Sequence, residues 1–212
     1  MKNIFINIII ILISQSVIFG QKDLGDTWFN DGKDAILKVN YTEAIQNYRK
    51  AINYYYKAVP VDKNSISDSY YYIGNAYKDL GNYMPAIKNY KTCIEFNPKH
   101  FEAYLNKGVC KFELGDLIGS IEEFSNAITV RPNYADAYYN RAHSKETMKN
   151  YSGAVADYSS AIKISSGFGK AYLNRGICRY RLNDLDGACK DWSKAGDLGE
   201  SKAYINIKKV CN

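Results

Sequence analysis

A period of 34 residues runs through most of this 212-residue chain and constrains its fold more than any other feature. Numbered from Ser67, the unit carries a small residue at its eighth position (Gly32, Gly74, Gly108, Ala142, Gly176) and another at its twentieth (Ala44, Ala86, Ser120, Ala154, Ala188). An aromatic stands at the fourth position (Trp28, Tyr70, Tyr104, Tyr138, Tyr172) and at the twenty-fourth (Tyr48, Tyr90, Phe124, Tyr158, Trp192). The twenty-seventh is small again: Ala51, Cys93, Ala127, Ala161, Ala195. A period of this length marks a supersecondary unit that cannot bury its apolar face alone and must stack on copies of itself.

Two helices per unit explain the spacing, because apolar residues at intervals of three, four and seven line one face of a helix. Small side chains let the two helices approach, and the aromatics fill the space beside them. The expected class is therefore all-α, an array of helical hairpins at 25–58, 67–100, 101–134, 135–168 and 169–202. An insertion at 59–66 separates the first two, and a helix at 203–212 closes the array. The sixteenth position (Asn40, Asn82, Asp116, Asn150, Asp184) supplies an N-cap to each second helix. The insertion, VPVDKNSI, is expected to extend the second helix of the first unit and then form a surface loop from about Pro60. Ala203, Tyr204, Ile207 and Val210 give the closing helix one apolar face to cover the last unit.

The pattern resembles the tetratricopeptide repeat family, from Gly25 to about Lys202. Tyr56, Ser166 and Glu200 stand where that pattern has proline. The resemblance implies a right-handed superhelical solenoid with a concave groove lined by the first helices. It also implies that positions two, five, six, nine, twelve and thirteen face the groove. The sixth position then holds Asn30, Tyr72, Asn106, Asn140 and Asn174, amides suited to the backbone of an extended peptide. Tyr71, Phe112, Tyr139 and Tyr180 add aromatic area, with aliphatic Leu105, Val109, Leu173 and Ile177. Seven acids (Asp26, Asp68, Asp79, Glu102, Glu113, Asp136, Glu146) outnumber four bases (Lys33, Lys78, Lys170, Arg181) at these positions, which favours a neutral or basic segment. Chaperone-binding members of the family clamp a carboxylate with basic residues and asparagines. Here Asn75 and Asn106 fit, but Tyr71, Asp136 and Asn140 occupy the basic places.

Residues 1–20 hold one Lys, an apolar run from Ile4 to Ile13 and a short segment to Gly20. They read as a secretory signal peptide cleaved after Gly20, with an uncleaved anchor as the rival. Loss of this segment lowers the formal charge from +6 to +5. The expected location is the periplasm, the cell envelope or the exterior of a bacterium, with membrane contact only through an uncleaved N-terminus. In an oxidising compartment, pairings open to the cysteines are Cys178 with Cys189, Cys189 with Cys211, or Cys93 with Cys110. All five buried as thiols is the other reading.

No Cys-x-x-Cys pair, glycine-rich phosphate loop, nucleophile elbow or His-Glu-x-x-His occurs, and His100 and His143 lack partners at ligand spacing. No catalytic residue, metal site or cofactor is expected, and an acidic groove disfavours nucleic acid. The sequence thus reads as a non-catalytic scaffold that holds an extended segment of another protein in its groove. The alternatives are a membrane-complex subunit using the convex face or closing helix, and a glycan or cell-wall binder.

Overall fold

The structure, a computed structural model, describes the backbone of residues 2–211 and the side chains of residues 20–211. Among the described residues every regular element is a helix, and the chain divides into two compact units, Met1–Ala103 and Tyr104–Asn212. The first unit holds α1 (Lys2–Leu37), α2 (Tyr41–Lys57), α3 (Lys63–Asp79) and α4 (Tyr83–Phe96). The second holds α5 (Phe101–Glu113) from Tyr104 onward, then α6 (Leu117–Val130), α7 (Ala135–Thr147) and α8 (Tyr151–Ile164). It ends with α9 (Gly169–Arg181), α10 (Leu185–Asp197) and α11 (Lys202–Val210). Within each unit, successive helices pack on one another, so the fold is an all-α helical repeat array.

Each hairpin is closed by the eighth and twenty-fourth positions. A Cβ built on Gly32, Gly74, Gly108 or Gly176 would lie 2.7, 2.6, 2.6 and 2.6 Å from the ring of Tyr48, Tyr90, Phe124 and Trp192 respectively. Those rings are buried, and a fully buried ring of Phe size stabilises by about 1.5–3 kcal/mol. The bare backbone of one helix is thus the seat for the aromatic of the next.

The turn between the two helices has the same conformation in every hairpin. Its fifteenth position adopts positive φ in Val39, Gly81, Gly115, Lys149 and Asn183. The next residue's N–H then reaches back five residues, as in Asn82 N–H to Tyr77 O at 2.8 Å and Asp116 N–H to Lys111 O at 2.9 Å. This satisfies carbonyls that the end of the helix leaves open.

The sixteenth residue caps the second helix, with one exception. Asn40, Asp116, Asn150 and Asp184 accept from the N–H of Glu43, Gly119, Gly153 and Gly187. Asn82 makes no such bond, because the residue three places on is Pro85, which has no N–H to give.

The insertion differs from the expected loop. α2 ends at Lys57 and α3 starts at Lys63, so only five residues separate them and the last four inserted residues form a turn of helix. Asp62 explains the early start: it caps α3 by accepting from Ser65 N–H at 3.0 Å and pairs with Lys22 Nζ at 2.8 Å. Burial of Asp62 opposes ionisation, but the bonds from Lys22 and Ser65 outweigh it and hold its pKa below the usual carboxylate value.

α11 closes the array with Ala203, Ile207 and Val210, while Tyr204 is 60% exposed and does not join that face. Its opening, Ser201-Lys-Ala-Tyr-Ile-Asn206, repeats the Gly169-Lys-Ala-Tyr-Leu-Asn174 that opens α9. A disulfide between Cys189 and Cys211 ties α11 to α10, and Cys93, Cys110 and Cys178 are free and buried. Cys178 therefore belongs to the core, between Ala142 and Ala171, and to no bridge. α1 runs through Gly20 without interruption. Among the described residues no helix is long and apolar enough to cross a membrane, while the apolar run of residues 4–19 falls outside the described side chains.

Candidate functional site

The first-helix face of the second unit gathers most of the residues singled out from sequence. Asn174 Nδ2 donates to the hydroxyls of Tyr139 at 3.1 Å and Tyr158 at 3.4 Å. Tyr158 in turn donates to Glu146 Oε2 at 2.6 Å, and His143 Nδ1 lies 3.6 Å from the same oxygen. Burial and the neighbouring Glu146 push the Tyr158 phenol well above its ordinary pKa, and Tyr139 is raised for the same two reasons. Both therefore stay protonated hydroxyl donors at neutral pH. Tyr139 stacks on Phe168 at 4.8 Å, and Phe112 lies 5.1 Å from the ring of His143.

The amides are less free than a bare ladder. Asn140 Nδ2 donates to Asp136 O at 2.8 Å, one turn back on its own helix. The hydrogen bonds described for Asn140 and Asn174 use the amide Nδ2, and a side-chain carbonyl is by its chemistry an acceptor for a peptide N–H. Asn106 is half-buried, and Tyr180 is 43% exposed beside Trp192 at 6.0 Å. Leu173 does not reach this face: it is 7% exposed and packs with Ile207 and Val210 beneath α11.

The first unit presents a different surface. Asn30 is exposed, but Tyr72 is half-buried, stacked on Tyr48 at 5.5 Å and edge-on to Phe29 at 5.4 Å. Tyr71 lies against Tyr72 at 5.4 Å and His100 at 4.5 Å. The His100 ring sits between Asp68 at 3.7 Å and Glu102 at 3.2 Å. Burial raises the pKa of Asp68 above its usual value, against the pull of His100. Tyr71, Tyr72, Asp68, His100 and Glu102 line a cavity of about 490 Å³. Two carboxylates beside aromatic faces suit a cationic side chain. Asp26, counted among the groove acids, is already an acceptor for the buried Tyr55 hydroxyl at 2.8 Å.

Two arrangements were missed in the sequence: the Asn174–Tyr158–Glu146 chain and a recurrent buried ion cluster on the opposite face. The second had a signal, since basic residues recur at positions seven and eleven and an acid at position twenty-three in the last three repeats. Among the described residues no group of three or more His, Cys, Asp or Glu could hold a metal ion.

The repeat geometry agrees with comparison to known proteins. The tetratricopeptide repeat family matches residues 67–100 and 135–168, and a further description of it, TPR repeat, matches residues 110–149. Residues 67–100 and 110–168 of this chain are tetratricopeptide repeats. No curated protein matches it. Among solved structures it is similar to MamA, with 27% identity over 82% of this chain and 96% of that one and a TM-score of 0.70. MamA from Desulfovibrio magneticus RS-1 is 17% identical, with 84% and 97% covered and a TM-score of 0.72. YrrB, described as a TPR protein with an unusual peptide-binding site, is 16% identical, with 92% and 97% covered and a TM-score of 0.70. Proteins of this family are generally non-catalytic scaffolds, which supports a role in protein interaction.

Proposed function

We propose that this protein is a non-catalytic scaffold of the bacterial envelope that binds an extended segment of a partner protein on its first-helix face. The observation that carries the reading is the asparagine column Asn106, Asn140 and Asn174, one per first helix in the second unit. A repeated amide matches a repeated backbone, and the phenols that hold Asn174 fix its orientation before a ligand arrives. Tyr139 and Phe112 supply apolar contact beside it, while Asp136 and Glu146 favour a neutral or basic segment. The apolar leader at residues 1–20 supports export.

The test is a crosslinking pull-down from the envelope fraction, comparing the native chain with an Asn106→Ala, Asn140→Ala, Asn174→Ala variant whose helicity and melting are checked. A partner captured by the native chain and lost by the folded variant is the expected result. The same partners captured by both would remove the column from the binding site.

A further inference from the structure

The opposite face of the repeats, where second helices lie side by side, is closed by charge in the second unit. Between α6 and α8, Arg141 lays its guanidinium on Asp157, with Nε–Oδ2 2.8 Å and Nη2–Oδ1 2.7 Å. The same guanidinium donates to Ser125 Oγ at 3.0 Å, and Lys145 Nζ joins Asp157 at 2.7 Å. Between α8 and α10 the set recurs: Arg175 binds Asp191 twice and Ser159 once, and Arg179 Nη1 reaches Asp191 at 2.8 Å. Asp157 and Asp191 are 5% and 3% exposed, so both crevices are filled and their charges satisfied.

The corresponding positions of the first unit are Ile73, Tyr77 and Asn89. No carboxylate is present to draw cations inward. A cavity of about 870 Å³ stands open between α2 and α4, with α3 as its floor. Ile73, Tyr70 and Tyr77 make the floor apolar and aromatic, and Met84, 66% exposed, forms an apolar rim. Arg49 and Lys88 stand on the two flanking helices, and no acid lines the space. Arg49 Nη2 donates to the Tyr77 hydroxyl at 3.1 Å, which holds its guanidinium over the cavity. Among the described residues neither Arg49 nor Lys88 has an ion-pair partner.

We propose that this crevice is a second binding site, for an acidic segment of a partner protein that inserts an apolar or aromatic side chain between α2 and α4. The inserted side chain covers Tyr70, Tyr77 and Met84, and its flanking carboxylates meet Arg49 and Lys88. The occupant has the opposite charge to the segment that suits the first-helix face, so one chain can hold two different partners at once.

The test uses the full chain and a fluorescein-labelled amphipathic peptide of Glu with Leu and Phe at helical spacing, together with its twin in which Lys replaces Glu. Fluorescence anisotropy at low salt reads the affinity. The acidic probe binds at least tenfold tighter than the basic one, and Arg49→Glu with Lys88→Glu abolishes that preference. Both residues are exposed, so the folded state is retained. A control reversal of equal charge, Lys190→Glu with Lys194→Glu on α10, leaves acidic-probe binding within twofold. The asparagine-column variant also leaves it unchanged, which separates this site from the first-helix face. Equal affinity for the two probes, or equal loss in the control reversal, overturns the proposal.

Discussion

Tyr48 and Tyr90 hold the same position in neighbouring repeats, but Tyr90 donates its hydroxyl to Asn75 Oδ1 at 2.7 Å while the buried hydroxyl of Tyr48 has no partner among the described residues. An unpartnered buried hydroxyl costs stability, and Phe124 shows that the position accepts a ring without one. Tyr48→Phe therefore raises the unfolding free energy by about 1 kcal/mol, and Tyr90→Phe lowers it by about the same. Urea melts of both variants check the opposite signs.

Val39 is the one β-branched residue at a turn position that Gly81 and Gly115 fill in the next two repeats, and it is held at φ 59°. Side chains branched at Cβ clash with the backbone there, a strain of order 1–3 kcal/mol. Glycine removes the strain but gains freedom in the unfolded chain. Val39→Gly gives a net gain of about 1 kcal/mol, read as a rise in melting temperature. Gly81→Val, the reciprocal change, lowers it.

Asp157 binds two cations in a nearly closed site. Asp157→Ala leaves Arg141 and Lys145 facing each other without their anion, and the loss is about 3–5 kcal/mol. Replacing the three charges together with apolar residues of similar volume costs far less. A comparison of single and triple variants by chemical denaturation separates the worth of the carboxylate from the penalty of the abandoned cations.

Burial pushes the thiols of Cys93 and Cys178 up to about 12. Both thiols therefore resist iodoacetamide at pH 8 in the folded chain and react at once in denaturant. A pKa raised by folding gives stability that is whole below the ordinary thiol value and is lost as pH climbs from there toward 12. Cys189 and Cys211 do not report on this, being bonded to each other. Reduction of that bridge lowers stability by about 3 kcal/mol in the chain-entropy account of a loop spanning 22 residues. Hydrogen exchange in α11 shows where the loss falls.

The contacts that build the hairpins could be read from sequence because each is fixed by spacing alone. Gly74 under Tyr90 and Asp116 over Gly119 need only the right residue at the right interval. The missing cap at Asn82 was equally legible from Pro85, but needed the identity of the donor as well as the acceptor. The repeat position of Leu173 predicts a groove-lining side chain, but the residue is buried against Ile207 and Val210 of α11. The crevice beside Arg49 left no positive mark: it depends on what Ile73, Tyr77 and Asn89 are not. The bond from Tyr158 to Glu146 needs an acid at the twelfth position, where the other repeats have Ile36, Lys78, Phe112 and Tyr180, so the period could not announce it.

The serine contacts of Arg141 and Arg175 have a further consequence. Each arginine bonds its own repeat's aspartate and a serine of the repeat before, Ser125 or Ser159. A duplicate of residues 135–168 spliced in after residue 168 would find Ser159 waiting for its arginine and would offer its own serine to Arg175. Both new junctions would be bonded with no compensating substitution. Unequal recombination within this stretch can therefore lengthen the array one hairpin at a time and still yield a chain that folds.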